Sequence, residues 1–91
     1  MMKRYAYFYF MKDEPDRIRN VVPDHIKYWE DQQLSQYLGG PFADRRGGLI
    51  SFAAPHDKEA ELLVANDPFV REGLVDNKWV KEWLVERKTT G

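Results

Sequence analysis

Two residues of this chain are of types that move protons as a pair, and each stands beside a proline that restricts its backbone. His25 closes the run Pro23-Asp24-His25, and Asp67 lies inside the corner Asn66-Asp67-Pro68-Phe69. Proline suits the first position of a helix, so the first run reads as a helix opening with His25 in its first turn. There the helix dipole disfavours the imidazolium, whereas a nearby aspartate favours it and fixes the ring tautomer. Such a pair is suited to proton transfer near neutral pH. The same residues also have a purely structural reading, in which Asp67 before Pro68 is an ordinary N-cap and His25 a polar residue of an exposed first turn. Which reading applies depends on whether the elements between them bring the two together.

The first of those elements is the aromatic block Arg4 to Met11, a strand by its β-favouring residues and short length, and apolar on both faces. A short helical piece is expected from Asp13-Glu14-Pro15 to about Asn20, and a first main helix from Pro23 to Ser35 with Ile26, Trp29, Gln33 and Leu34 as its stripe. Gln36 to Leu38 reads as a second strand and Leu49 to Ala54 as a third, joined by a glycine-rich tip over residues 39–48. Asp57 is the expected cap of a second helix, Lys58 to Ala65, which Asn66 ends. Pro68 to Glu72 reads as one further turn closed by Gly73. Leu74 to Arg87 carries a helical period but strand-favouring residues. It is assigned as a fourth strand because the order then becomes β-α-β-β-α-β, a ferredoxin-like α+β fold with a four-stranded antiparallel sheet. Residues 88–91 are expected to fray.

That topology places His25, Asp67 and the 39–48 tip at one end of the sheet and His56 at the other, which argues against a two-histidine metal site. With 91 residues the chain has room for a single domain over 1–91, its ordered core about 4–87. The 14 basic and 15 acidic side chains leave a net charge of -1, so nucleic acid and membrane are not expected partners. No cysteine is present, which excludes thiolate metal sites and thiol nucleophiles, and the cytoplasm is the default location. Tyr5, Tyr7 and Tyr9 alternate along the first strand; they serve the core or line a ligand pocket, and hydroxyls brought inside need partners. Arg45 and Arg46 are either an anion-binding pair or an exposed charged turn. Two helices cover only one side of such a sheet, so the apolar first strand implies a homodimer that covers the other.

Taken together, Pro23-Asp24-His25, Gly39-Gly40-Pro41-Phe42, Asn66-Asp67-Pro68-Phe69 and Gly73-Leu74 resemble, in order and spacing, the YciI-like (YCII-related) family over nearly the whole chain. The resemblance implies a subunit that pairs through its sheet into a dimeric α+β barrel, related to muconolactone isomerases and small monooxygenases. It also implies that the family's active-site His and Asp fall on His25 and Asp67. Tyr7, Gly40, Pro41 and Phe69 are the expected substrate contacts. The best-defined reaction precedent is dehydrochlorination of a chlorinated hydroxyhydroquinone. The expected function is therefore a small enzyme of lyase or isomerase type acting on an aromatic or acidic metabolite. His25 is its acid/base, Asp67 orients that ring, and backbone amides near Gly40 stand at a developing oxyanion; no cofactor is required. The alternatives are a non-catalytic ligand-binding or dimerisation module of the same fold and, from the superfamily alone, a cofactor-free or haem-using monooxygenase. Residues 13–22 and the adjacent Arg45 and Arg46 have no counterpart in the resemblance.

Overall fold

Strand β1 (Lys3–Met11) buries Tyr5, Tyr7 and Tyr9 on one face and turns Phe8 and Phe10 to the other, the period-2 alternation of a pleated strand. In the computed structural model, which describes residues 1–87 and 89, it is followed by α1 (Pro15–Asp31), β2 (Leu38–Pro41), β3 (Gly47–Ala54), α2 (Asp57–Ala65), the short α3 (Pro68–Arg71) and β4 (Val75–Glu82). The strands form one antiparallel sheet in the order β2-β3-β1-β4. This is the expected ferredoxin-like arrangement, with one extra helical turn before the last strand. The helices cover one face, and the core between them and the sheet is built on Tyr5, Tyr7, Trp29, Ile50, Phe52, Val64 and Leu74.

The first main helix differs from expectation. It starts at Pro15, not Pro23, and runs unbroken through Pro23 to Asp31. Its true opening is the acidic run before Pro15, where proline occupies the first helical position. Ile18, Val21, Val22, His25, Tyr28 and Trp29 are buried or half-buried at helical spacing, and this continuous stripe holds the segment helical although Pro23 deprives it of one i→i−4 bond. Ile26, assigned to the stripe from sequence, is instead exposed. His25 thus sits in the body of the helix, beyond reach of the N-terminal dipole, and the argument that the dipole disfavours its charge does not hold.

Other boundaries shift by a few residues. β2 contains Gly39, Gly40 and Pro41, which were expected in the tip; the connection to β3 is only residues 42–46. Pro41 is tolerated because β2 is an edge strand. α2 is capped by His56, whose Nδ1 accepts the Glu59 N–H at 3.3 Å, and not by Asp57, which accepts a 2.7 Å bond from the Tyr5 hydroxyl. Asn66 ends that helix as expected. After α3 the chain reverses at Gly73, φ +71, with Leu74 N–H donating to the Phe69 carbonyl and Gly73 N–H to that of Val70. This pattern is a Schellman closure, and its left-handed residue favours glycine. β4 stops at Glu82 rather than Arg87; the one further ladder bond is from Trp83 N–H to the Arg4 carbonyl. The tail expectation for 88–91 falls, apart from Thr89, outside the described residues.

The sheet face away from the helices is open and apolar. Leu38, Leu49, Phe10, Trp79 and Trp83 are all exposed on it, and Phe8 stacks on Trp79 with ring centroids 5.3 Å apart. Among the described residues no helix is long and apolar enough to cross a membrane.

Candidate active site

α1 and the α2–α3 corner meet over the β1 side of the sheet, and there His25 reaches Asp67. The Nδ1 of His25 lies 2.8 Å from Asp67 Oδ1. Asp67 is fully buried, and its two oxygens accept every donor within reach: Oδ1 takes the Phe69 N–H at 2.9 Å as well as His25, while Oδ2 takes Trp29 Nε1–H at 3.1 Å and the Tyr7 hydroxyl at 3.2 Å. The two readings offered by the sequence therefore describe one residue, for Asp67 is both the N-cap of α3 and the partner of His25. A carboxylate can only accept, so the hydrogen-bond network puts a proton on Nδ1. The ring is held in place by Phe69, stacked at 4.0 Å between centroids and 16° between planes, and by Tyr9 at its edge.

His25 lines a cavity of about 490 Å³ between α1 and the β2–β3 side of the sheet. Its wall is largely apolar, with Ile18, Val22, Ile50 and Phe69, and carries Glu30 and Arg45 as its charged residues. Gly40, Pro41 and Phe69 line it as expected of substrate-contacting residues. Tyr7 does not: it is fully buried behind Tyr9, stacked on it at 4.8 Å, and its hydroxyl is engaged by Asp67. The tyrosine on the cavity wall is Tyr9, one step further along the same strand face. Tyr37 joins it from the segment before β2.

Of the backbone amides near Gly40 expected at a developing oxyanion, that of Gly40 itself is engaged within the sheet. Phe42 N–H donates to the Gly47 carbonyl at 2.8 Å, and bonded pairs alternate along an antiparallel ladder, so Gly40 is bonded to Leu49 and its N–H points into the sheet. Of the two tip arginines, Arg45 reaches the cavity wall from a left-handed backbone, φ 62. Arg46 does not line it; its N–H is taken by the Asp44 carboxylate at 2.9 Å.

Burial raises the Tyr7 and Tyr9 phenols well above their ordinary range, and the charge of Asp67 adds to the effect. Tyr37 is raised by the same two causes in the same order. These hydroxyls stay protonated, as donors, at any pH at which the protein would work. Among the described residues no cluster of three or more His, Asp or Glu side chains could hold a metal ion.

Sequence reasoning did not assign Trp29 and Tyr37 to the site, and of the three strand tyrosines open to a pocket role it chose Tyr7 over Tyr9. Trp29 was visible in principle, since it follows His25 by four residues on one helix face, but its role depends on an acceptor that arrives from α3. Tyr37 carried no signal, because its position depends on where α1 ends.

Among solved structures the fold is similar to that of a 5-chloro-2-hydroxyhydroquinone dehydrochlorinase from Burkholderia phenoliruptrix AC1100, determined in complex with 2,5-dihydroxybenzoquinone. The TM-score is 0.77, the alignment covers 89% of this chain and 93% of that one, and 22% of the residues are identical. A comparison with curated proteins finds no match. The YCII-related domain matches residues 2–84, from the start of β1 to just past the end of β4. A match of that extent, over a chain whose histidine and aspartate motifs meet at one cavity, makes this protein a member of the YCII-related, YciI-like family.

Proposed function

We propose that the protein is a small-molecule enzyme of lyase or isomerase type in which His25 Nε2 is the general base and Asp67 holds the ring in its Nδ1–H tautomer. The observation that carries this reading is the 2.8 Å contact between Nδ1 and Asp67 Oδ1 on a histidine that lines an apolar cavity. In the forward step Nε2 takes a proton from a carbon or hydroxyl of the substrate, and the buried carboxylate stabilises the imidazolium so formed. In an elimination the leaving group then departs with its bonding electron pair; in an isomerisation His25 returns the proton to another carbon. Neither step needs an oxidant or reductant. The cavity volume and its apolar wall suit a single-ring substrate, and the similar dehydrochlorinase, solved with a dihydroxybenzoquinone, supports a hydroxylated or quinoid ring. The reading includes a homodimer closed through the open sheet face, supported by the aromatic residues exposed there.

The second reading is a ligand-binding module without turnover. It is favoured by the fact that Asp67, as a cap and a four-donor acceptor, has a complete structural role without any reaction. A panel of hydroxylated and quinoid aromatics, 2,5-dihydroxybenzoquinone among them, screened by thermal shift and then followed for turnover, separates the two. The enzyme reading expects at least one ligand to be converted and His25→Gln to lower kcat at least about a hundredfold with binding retained. Ligands that bind to both chains and are converted by neither would establish the module.

A further inference from the structure

The protein has five tyrosines, and the fate of their hydroxyls divides them. Tyr5 donates to Asp57, Tyr7 to Asp67 and Tyr28 to the Leu63 carbonyl. Tyr9 and Tyr37 donate to none of the described residues, and these are the two that line the cavity. Tyr9 is 5% exposed, yet no sealed polar side-chain atom lacks a partner among the described residues, so its hydroxyl must open onto the cavity itself.

Both phenol heads are seated by glycines. A Cβ on Gly48 would stand 2.5 Å from the Tyr9 hydroxyl, and a Cβ on Gly39 would stand 2.6 Å from that of Tyr37. Gly39 faces Ile50 and Gly48 faces Pro41 across the same strand pair, so the two glycines are diagonal neighbours on the helix-side face of the sheet. Diagonal positions lie roughly 7–8 Å apart, within the span of one small ring. Two glycines at these positions forgo side chains, and the space each leaves is occupied by a donor without a partner.

We propose that the Tyr9 and Tyr37 hydroxyls form an oxyanion-binding pair in this cavity, taking a ligand that presents a phenolate or enolate oxygen. This rests on the reading of the cavity as a substrate site but not on His25 acting as base. It supplies the donors that the Gly40 amide, turned into the sheet, does not. The raised pKa of both phenols keeps the protons on the protein, and the oxygen that receives the bonds is the ligand's. In the proposed reaction the charge that develops on the ring oxygen as Nε2 removes a proton would fall on this pair.

The test uses para-nitrophenolate as probe at about pH 8.5, with binding followed by calorimetry and by the visible absorption of the bound anion. The wild type is expected to bind the anion. Tyr9→Phe and Tyr37→Phe should each weaken binding roughly tenfold or more, and the double variant should weaken it further. Gly39→Ala deletes no donor but displaces the Tyr37 head, and should also weaken binding. Tyr28→Phe, whose hydroxyl bonds elsewhere, should bind as the wild type does. Circular dichroism and melting temperature check that each variant is folded. Failure of the wild type to bind the probe, or wild-type affinity in both folded Tyr9→Phe and folded Tyr37→Phe, overturns the proposal. His25→Gln separates it from the reading above: retained phenolate affinity with lost turnover supports both, and retained affinity with unchanged turnover leaves the oxyanion pair standing while the base assignment falls.

Discussion

Asp67 concentrates four donors from three elements, β1, α1 and α3, on one buried carboxylate, so its removal is a question of what is left unpaired. Asp67→Ala leaves the Trp29 indole, the Tyr7 hydroxyl, the Phe69 amide and the His25 ring without their acceptor. We expect a loss of about 3–5 kcal/mol in urea denaturation, the range for orphaned partners of a buried charge. The pairing was expected, but on a premise that only half holds: a β-α-β-β-α-β order places the start of the first helix and the corner after the second at one end of the sheet, whereas His25 meets Asp67 from the body of α1. The remaining donors were not, because Trp29 and Tyr7 have ordinary core explanations until an acceptor is placed between them. For the same reason Tyr7 was assigned to the ligand in place of Tyr9. Alternation says that both lie on one face, but only the packed helix decides which is sealed and which meets the cavity.

At the scale of elements, β1, β3 and β4 were legible, whereas β2 overlaps its expected span only at Leu38 and the remaining errors lie in where elements start and stop. Pro23 was read as a helix start because proline favours that position, yet Pro15 has the same preference and an acidic run before it. The stripe Ile18, Val21, Val22, His25 crosses the second proline, and burial of that stripe outweighs one missing backbone bond. The turn after α3 was read correctly from Gly73, where the backbone requirement is local. Its φ of +71 and the open space around its Cα make Gly73→Ala a nearly pure backbone test. Such a change should cost about 1 kcal/mol, seen as a lower denaturation midpoint with an unchanged slope. Because this closure follows directly on α3, which carries Phe69 against His25, turnover should fall with it if the stack is important to the site.

For the molecule as a whole, the tyrosines set an alkaline limit. Burial, followed by the bond to Asp57, pushes Tyr5 up to about 12, and the other four are raised as well, with burial again the largest cause. A phenol that binds its proton more tightly when folded contributes stability that is fully present below its unfolded value, near 10, and is lost as the pH rises beyond it. Stability should therefore be insensitive to these groups up to about pH 10 and fall above it. In ultraviolet titration tyrosinate should form abruptly on unfolding rather than with an ordinary midpoint. The open face carries the remaining prediction at this scale. Sedimentation at micromolar concentration should give the mass of a dimer, and Trp79→Glu, which places a charge in the middle of that face, should shift it to the monomer.

The strand order β2-β3-β1-β4 also bears on how the chain is made. β1 is a central strand whose two neighbours both come later in the chain, and β4 pairs with it from Tyr5 opposite Glu82 to Met11 opposite Val75. On the ribosome its tyrosines and phenylalanines emerge before either neighbour and wait, with one edge unpaired, until β4 has followed. Long-range antiparallel closure of this kind is slow and leaves the nascent segment open to chaperones and to its own neighbours on a polysome. Messages cut short before Val75 would yield a product with an exposed aromatic edge, a substrate for quality control rather than a smaller version of the protein.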